Sequence, residues 1–305
     1  MGGGEKEKEQ KAIQWHPAFI SAMNLELMEN QKDLMFEREY NLNTKPLEID
    51  LLIIKKEKEV TIRNEIGHFF GKYNVLEYKA PGAQLNVDSY YKAVAYGCLY
   101  KAYGDTVDGR RAEDVTVSLI RDAKPEGMLQ YFAEAGTMIR KIRPGIYYLR
   151  GERILFPTQV IVTRELAEEN HAYLRVLTRK PRKGDVNRFL KLYKDLSEKA
   201  EREYAKSILE VFTEANRKWV ERWKGEGEMG AALMEIMAPE LQEAKKQGIE
   251  QGMEKGIEQG IKQGMEKGIH GAVDILESLG LSREQIKEAV MERYSLTEKE
   301  TEKFL

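Results

Sequence analysis

The chain has 305 residues, of which 42% are hydrophobic and 33% charged, so it has room for about two domains and a buried core. Its 49 basic and 51 acidic residues give a net charge of -2, which excludes bulk attraction to nucleic acid. No apolar run approaches the roughly 18–20 residues of a membrane helix. The single cysteine, Cys98, excludes an internal disulfide framework and a multi-cysteine zinc site. Residues 1–14 predict a disordered lead-in without an export signal, so we expect a soluble, cytoplasmic protein.

The strand-like sequence lies almost entirely in residues 15–166, which predicts an α/β domain. Apolar residues at helical spacing predict a first helix over residues 15–39. The run over residues 46–56 is short, rich in Ile and Leu and headed by a proline, which predicts a central strand covered on both faces. A second strand is predicted over residues 74–80, ending at a Pro-Gly turn, and a helix over residues 87–103 follows it.

The end of this domain and the segment after it differ in character. Two more strands are predicted at residues 115–120 and 155–163, with residues 146–149 as a hairpin partner for the second. Residues 167–246 have helical periodicity, long charged side chains and no convincing strand. They predict a helical, partly basic extension.

The tail opens with a four-residue repeat over residues 247–271, in which glycine precedes Ile or Met. Its six glycines would cost an isolated helix about 5–6 kcal/mol relative to alanine. We therefore expect this helix to pack against a second copy and make the protein a homo-oligomer, with disorder as the alternative. Residues 272–305 predict a short helical hairpin joined at Gly280, with Ser282 as N-cap.

Asp50, Glu77 and Lys79 are the residues best suited to chemistry. Asp50 begins an apolar strand, where an unpaired carboxylate is costly unless it reaches solvent, a partner or a metal. Glu77 and Lys79 are two apart on a strand, so their side chains share one face. Carboxylates on neighbouring strands can hold Mg²⁺, and a nearby lysine can assist the attacking water in phosphodiester hydrolysis. The alternative is an ion pair between Lys79 and one of the acids that serves folding only.

Several segments of residues 15–166 carry a family pattern: Trp15-His16-Pro17-Ala18-Phe19, Met23-Asn24-Leu25-Glu26-Leu27, Lys45-Pro46-Leu47-Glu48-Ile49-Asp50-Leu51-Leu52-Ile53-Ile54-Lys55-Lys56, Glu77-Tyr78-Lys79-Ala80-Pro81, Tyr90-Tyr91-Lys92 and Tyr96-Gly97-Cys98-Leu99-Tyr100. Together they resemble the PD-(D/E)XK nuclease family transposases, the recombination-promoting nuclease group. A glycine-repeat tail is also common in such proteins.

The resemblance implies a restriction-endonuclease-like core, a mixed sheet flanked by helices in αβββαβ order, followed here by an all-helical C-terminal part. It implies a DNA endonuclease of the transposase-like, recombination-promoting type that depends on Mg²⁺, with Mn²⁺ able to substitute. Carried over residue by residue, Asp50 and Glu77 would ligate the metal and Lys79 would be the catalytic lysine. The alternative function is a non-catalytic nuclease-fold interaction protein that assembles through its glycine-repeat helix.

Two positions fit the family pattern less closely. Glu26 matches the helical acid of the first motif, which would make it a third metal ligand, but Glu29 and Glu37 are nearby rivals. Ile49 stands where the namesake proline would precede Asp50, a departure that bears on specificity more than on activity.

A local basic surface is also predicted, although the chain as a whole is near neutral. Residues 138–194 contain 14 basic and five acidic residues, a local charge of +9. Such clusters commonly contact phosphates without reading bases, and a solvated surface is the alternative. The candidate DNA contacts are Lys92 on the helix after the Glu-x-Lys strand and four residues of one loop: Arg179, Lys180, Arg182 and Lys183.

The remaining reactive or aromatic residues have ordinary structural explanations. His16 and His68 have no second His or Cys at ligand spacing, so we expect local hydrogen bonding rather than metal binding. Cys98 is predicted to be a small core residue. Tyr90 and Tyr96 are predicted to be core residues of the same helix.

Overall fold

The computed structural model describes residues 13–38, 51–56, 60–104, 106–223 and 227–305. The chain forms two compact units, Met1–Leu233 and Met234–Leu305. Among the helices in these described ranges, none combines the length and hydropathy needed to cross a membrane.

The first unit is built on one seven-stranded mixed sheet. Its strands are β1 (Leu34–Arg38), β2 (Leu51–Lys56), β3 (Tyr73–Lys79), β4 (Val115–Arg121), β5 (Met138–Arg143), β6 (Ile146–Arg150) and β7 (Thr158–Val162). They lie side by side in the order β1-β2-β3-β4-β7-β6-β5. The central strands β3, β4 and β7 run parallel to one another, and every other pairing is antiparallel.

The described residues also form α-helices, some beside the sheet and the last ones in the second unit. They are α1 (Trp15–Glu26), α2 (Val87–Ala102), α3 (Glu126–Glu134), α4 (Ala172–Arg175), α5 (Lys183–Asp195), α6 (Lys199–Ala215), α7 (Arg217–Trp223), α8 (Gly227–Ser278), α9 (Arg283–Tyr294) and α10 (Glu298–Thr301). The expectation of a mixed sheet flanked by helices, with a helical C-terminal part, is confirmed. Short 3-10 turns aside, the described elements up to β4 follow one another in the order α-β-β-β-α-β.

The two faces of the sheet are covered by different helices. On one face, the Phe19 ring of α1 stacks on the Tyr78 ring of β3 with centroids 4.3 Å apart. On the other face, Tyr90 and Ala93 of α2 belong to the same buried apolar cluster as Val75 of β3. Because side chains alternate along a strand, Glu77 and Lys79 lie on the α2 face.

The first helix is shorter than the predicted range of residues 15–39. The observed helix α1 ends at Glu26, and a 3-10 segment over Met28–Asp33 leads into β1. Residues Met28–Asp33 are polar apart from the methionine, so they offer no apolar stripe for a helix to bury. The following residues instead pair in antiparallel register with β2, so tertiary pairing overrides the local pattern.

The remaining sheet predictions are largely confirmed. Strand β2 has a neighbour on each side, and residues 46–50 of that predicted strand lie outside the described residues. The helix α2 and the strands β3, β4 and β7 match their predicted positions, and β6 pairs with β7 as the predicted hairpin partner. Helix α3 and the edge strand β5 were not predicted from the sequence.

The compact unit continues beyond the predicted boundary at residue 166. Helices α4 and α6 both pack against α1. The helices that follow the sheet in sequence are therefore part of the same unit up to Leu233.

The second unit is a small helical assembly, and the glycine repeat lies within the long helix α8. Ile269 and Val273 of α8 pack with Ile286 and Val290 of α9 in a small buried core. Gly280 joins the two helices with a positive φ of +79°, a conformation that glycine adopts without strain. The predicted N-cap is confirmed, because the Ser282 hydroxyl accepts a hydrogen bond from the backbone N–H three residues on.

Candidate active site

The centre of the candidate site is an ion pair on β3. The Glu77 side chain is completely buried, and the Lys79 Nζ lies 2.7 Å from its Oε1 atom. The ammonium is close but not aligned for a hydrogen bond, and neither Glu77 oxygen accepts one from the described residues. An ionised carboxylate removed from water costs several kcal/mol unless it is paired and hydrogen-bonded. Glu77 therefore has unused capacity to bind a donor or a cation.

The neighbouring strands determine what surrounds Glu77. Glu77 is paired with Leu51 of β2 on one side and Leu119 of β4 on the other. Asp50, the predicted second metal ligand, lies outside the described residues. Its sequence neighbour Leu51 is the residue in register with Glu77. The α2 helix covers this face from above, and its first turn is fixed by a capping box between Asn86 and Ser89.

Glu26, the predicted third acid, does not join Glu77 and Lys79. His16, at the start of α1, has its Nε2 atom 3.3 Å from the Tyr78 carbonyl oxygen at the end of β3. Glu26 lies ten residues further along the same helix, which is about 15 Å. It is also on the α1 face, whereas Glu77 and Lys79 are on the α2 face. The structure therefore separates Glu26 from Glu77 and Lys79, with which the resemblance groups it.

The two rival acids occupy different places. Glu29 is exposed and forms an ion pair with Arg63, with a separation of 3.3 Å. Glu37 of β1 pairs with Ile53 of β2, which belongs to the buried cluster on the α2 face. The Glu37 carboxylate is bound by Lys55 and by the hydroxyl of Tyr100. Of the three acids, Glu37 is the one that shares a sheet face with Glu77.

Glu26 belongs instead to a second polar cluster around a fully buried histidine. The His171 Nδ1 atom lies 2.9 Å from Glu26 Oε2, and its Nε2 atom lies 3.3 Å from Glu65 Oε2. Asn64 donates to the same Glu26 oxygen at 3.0 Å. These residues line one side of a cleft of about 460 Å³. No local sequence signal identifies this cluster, because Glu26 and His171 are 145 residues apart.

The environment of His171 has opposing effects on its protonation. Burial alone lowers the pKa of His171, because a charged imidazole loses its hydration. The hydrogen bonds and negative charges of Glu26 and Glu65 outweigh burial, so the pKa is raised above its usual value. Both ring nitrogens can donate to carboxylates only when the imidazole is protonated. The geometry therefore matches an imidazolium ion held between two carboxylates.

The structure brings the predicted basic loop to the end of β3. Arg179 Nε donates to the Pro81 carbonyl oxygen at 3.4 Å, immediately after the strand that carries Lys79. The Arg179 guanidinium also lies 5.6 Å from the centre of the Trp15 ring. Thr178 anchors the loop by donating to Asp122 at the end of β4.

The other predicted DNA-binding residues are less closely connected to the ion pair. Lys180 and Arg182 are exposed in the same loop. Lys183 is not in the loop as predicted, because it is the first residue of α5, and its Nζ lies 3.5 Å from the centre of the Trp223 ring. The Lys92 Nζ lies 5.7 Å from the Tyr96 ring on α2.

One prediction on α2 is wrong, because Cys98 is exposed. The prediction followed a four-residue spacing from Tyr90, but four residues overshoot a helical turn by about 40°. Cys98 is two such steps after Tyr90, so it is rotated by about 80° from Tyr90 around the helix. It therefore lies outside the buried stripe, which includes Tyr90, Ala93 and Tyr100. Tyr90 and Tyr96 are buried as predicted.

The donor set for a metal ion is therefore incomplete in the described part of the chain. Glu77 offers two buried carboxylate oxygens, which suit a hard cation such as Mg²⁺. The described residues contain no group of three or more His, Cys, Asp or Glu side chains in metal-binding geometry, and Asp50, the second ligand that the resemblance implies, lies outside them. No family model matches this chain, and neither curated proteins nor solved structures include a significant match.

Proposed function

We propose that this protein is a metal-dependent DNA endonuclease of the PD-(D/E)XK type, related to the recombination-promoting nucleases, which hydrolyses phosphodiester bonds. The observation that carries the proposal is the buried Glu77 carboxylate, whose oxygens lack hydrogen bonds and lie beside the Lys79 ammonium. The α-β-β-β-α-β order of the surrounding elements supports it, because this order is the one that the resemblance implies.

Each residue of the site has a role in this proposal. Glu77 and Asp50 would hold Mg²⁺, which neutralises phosphate charge and activates a water molecule when bound. Lys79 is held close to Glu77 and has part of its side chain exposed, so its ammonium can donate to the attacking water or to a phosphate oxygen. Burial of Glu77 strengthens these interactions, because charges attract more strongly where water is excluded. The exposed basic loop that contains Arg179 offers contacts to the DNA backbone.

The proposal is tested by incubating supercoiled plasmid with the purified protein in Mg²⁺ and in chelator. We expect cleavage in Mg²⁺ alone. Glu77→Gln keeps the shape of the side chain but removes its charge, so it should slow cleavage by about 100-fold or more. Glu113→Gln is the matched control, because Glu113 is an exposed acid before the amino end of β4. If Glu77→Gln cleaves the plasmid as fast as the wild-type protein, Glu77 is not part of the active site.

A second candidate function rests on a different observation, the exposed apolar row of the repeat helix. Ile249, Met253, Ile257, Ile261 and Met265 are each 41–66% exposed on α8. In this alternative the nuclease-like unit is not catalytic, the Glu77–Lys79 pair serves folding, and the row binds a second copy of the chain. The alternative is favoured if the wild-type protein self-associates but cleaves no DNA in Mg²⁺ or Mn²⁺.

A further inference from the structure

Arg121, the last residue of β4, lies next to the candidate site. β3 and β4 are parallel, and Lys79 and Arg121 are directly in register as the last residues of the two strands. Residues in register on adjacent strands project from the same face and lie about 4.8 Å apart. Arg121 therefore emerges beside Lys79, on the α2 face that also carries Glu77.

Arg121 has no anionic partner among the described residues. Its side chain takes part in no ion pair or hydrogen bond there, and its Nε atom is buried without an acceptor. Two other buried arginines differ from it: Arg110 donates to the Tyr100 carbonyl oxygen, and Arg175 donates to Asp185. Arg164 resembles it in having a buried Nε atom without an acceptor. A guanidinium has five donors and usually finds acceptors when it is buried.

Asp122, the acid nearest to Arg121 in sequence, is not an ion-pair partner of Arg121. Asp122 follows Arg121 and therefore points to the opposite face of the sheet. There it accepts a hydrogen bond from the Thr178 hydroxyl at 3.0 Å, and its charge acts with burial to raise the pKa of Tyr78 on that same face. Glu77 is on the face of Arg121, but among the described residues only the Lys79 ammonium lies within ion-pairing distance of its carboxylate.

Lys79 has Glu77 as an anionic partner, whereas Arg121 has none among the described residues, and two adjacent cations repel each other. A phosphate group placed between them would remove this repulsion, and a guanidinium binds phosphate oxygens through two parallel hydrogen bonds. The location is also appropriate, because ligands of open α/β sheets bind beyond the carboxyl ends of parallel strands. Lys79 and Arg121 are at the carboxyl ends of two such strands.

We propose that Arg121 is a phosphate-binding residue that, together with Lys79, holds a phosphate group of the DNA backbone at the carboxyl ends of β3 and β4. This inference deepens the proposed nuclease function and rests on it for the identity of the substrate. It assigns Lys79 and Arg121 to the phosphate, and Glu77 to the metal.

The experiment compares Arg121→Gln and Arg121→Lys with the wild-type protein in two assays. The first measures the affinity for a short DNA duplex in chelator at several salt concentrations. Loss of one phosphate contact should lower the slope of log affinity against log salt by about 0.9 in Arg121→Gln, and Arg121→Lys should retain the slope. The second assay measures plasmid cleavage in Mg²⁺, where Arg121→Gln should be about 100-fold slower. Arg121→Lys should also cleave more slowly, because an ammonium lacks the paired donors.

Arg111→Gln is the matched control, because Arg111 is an exposed arginine before the amino end of the same strand. It should match the wild-type protein in both assays. Thermal melting of each variant separates a binding defect from misfolding. An unchanged salt slope and cleavage rate in a folded Arg121→Gln variant would overturn the inference. If the wild-type protein cleaves no DNA, the nuclease proposal fails, and the binding assay alone decides whether Arg121 contacts phosphate.

Discussion

Because Glu77 is buried, the stability of the first unit should depend on the positive charge that compensates its carboxylate, which is Lys79 in the described residues. Lys79→Met removes the only charge that contacts Glu77 in the described residues, which should destabilise the protein by about 3–5 kcal/mol. If Glu77 ligates Mg²⁺, the metal should restore part of this loss, by about 2.7 kcal/mol at 100 times its dissociation constant. Thermal melting of Lys79→Met with and without Mg²⁺ measures this effect.

The matched control for this prediction is the double variant Glu77→Gln, Lys79→Met. Without the Glu77 carboxylate, the melting temperature should no longer respond to Mg²⁺. An equal response in the single and double variants would show that the metal binds elsewhere. Because this test measures binding, it remains informative even if the protein cleaves no DNA.

His171 predicts a dependence of stability on pH. Its pKa is raised in the folded protein, so its stabilising effect is complete below the unfolded value of about 6.5 and is lost as pH rises through the folded value. His171→Gln removes the charged hydrogen bonds to Glu26 and Glu65, which should cost about 1.5–3 kcal/mol for each bond at low pH. The difference in melting temperature between wild type and variant should therefore shrink as pH increases from 5.5.

His68→Gln provides the comparison for this measurement. His68 is exposed and lines the same cleft, so its replacement should change the pH dependence little. A difference between His171→Gln and wild type that stays constant from pH 5.5 to 8.5 would contradict an imidazolium held between two carboxylates.

At the scale of elements, the sequence predicts those whose local pattern agrees with their tertiary environment. β3, β4 and β7 are buried apolar strands, and α2 buries a regular stripe, so each is recognisable by itself. β1 and β5 are edge strands. Three of the six residues of β5 are charged, and a fourth, Met138, is exposed. β1 and β5 become strands because they pair with a neighbouring strand, and their own residues do not show this pairing.

The same contrast holds for the candidate site. The shared face of Glu77 and Lys79 follows from a spacing of two residues on a strand. The separation of Glu26 from them follows from where α1 packs, and the contact between Glu26 and His171 joins residues that are distant in sequence. The position of Arg121 beside Lys79 depends on the register of β3 and β4, which a single sequence does not specify.

Glycine has opposite roles in two of the helices. A Cβ atom at Gly97 of α2 would lie 2.8 Å from the buried Phe156 ring, whereas a Cβ atom at Gly256 of α8 would have no neighbour within 4 Å. Gly97→Ala should therefore destabilise the first unit by about 1–3 kcal/mol through overpacking. Gly256→Ala should stabilise its helix by about 0.8–1 kcal/mol. Chemical denaturation of both variants measures the two effects, and the same sign for both would contradict this packing.

The geometry of the repeat helix limits how two copies of the chain could assemble through it. Each repeat advances the apolar row by about 40° around α8 because four residues exceed one turn. From Ile249 to Met265 the row therefore winds through about 160° over about 24 Å. Two straight helices could bury only its middle together, and a longer contact requires a right-handed supercoil. The centre of the row, at Ile257 and Ile261, should therefore contribute most to self-association.

The double substitution Ile257→Glu, Ile261→Glu should convert a dimer into a monomer in light scattering, because it places four like charges in the contact. Each chain carries one candidate active site, so the monomer should still nick one strand of a plasmid but produce fewer double-strand breaks. Glu254→Gln is the control, since it changes an exposed charge on the same helix without changing the row. If the double variant keeps the oligomeric state of the wild-type protein, assembly does not depend on the repeat helix, and paired cutting must have another origin.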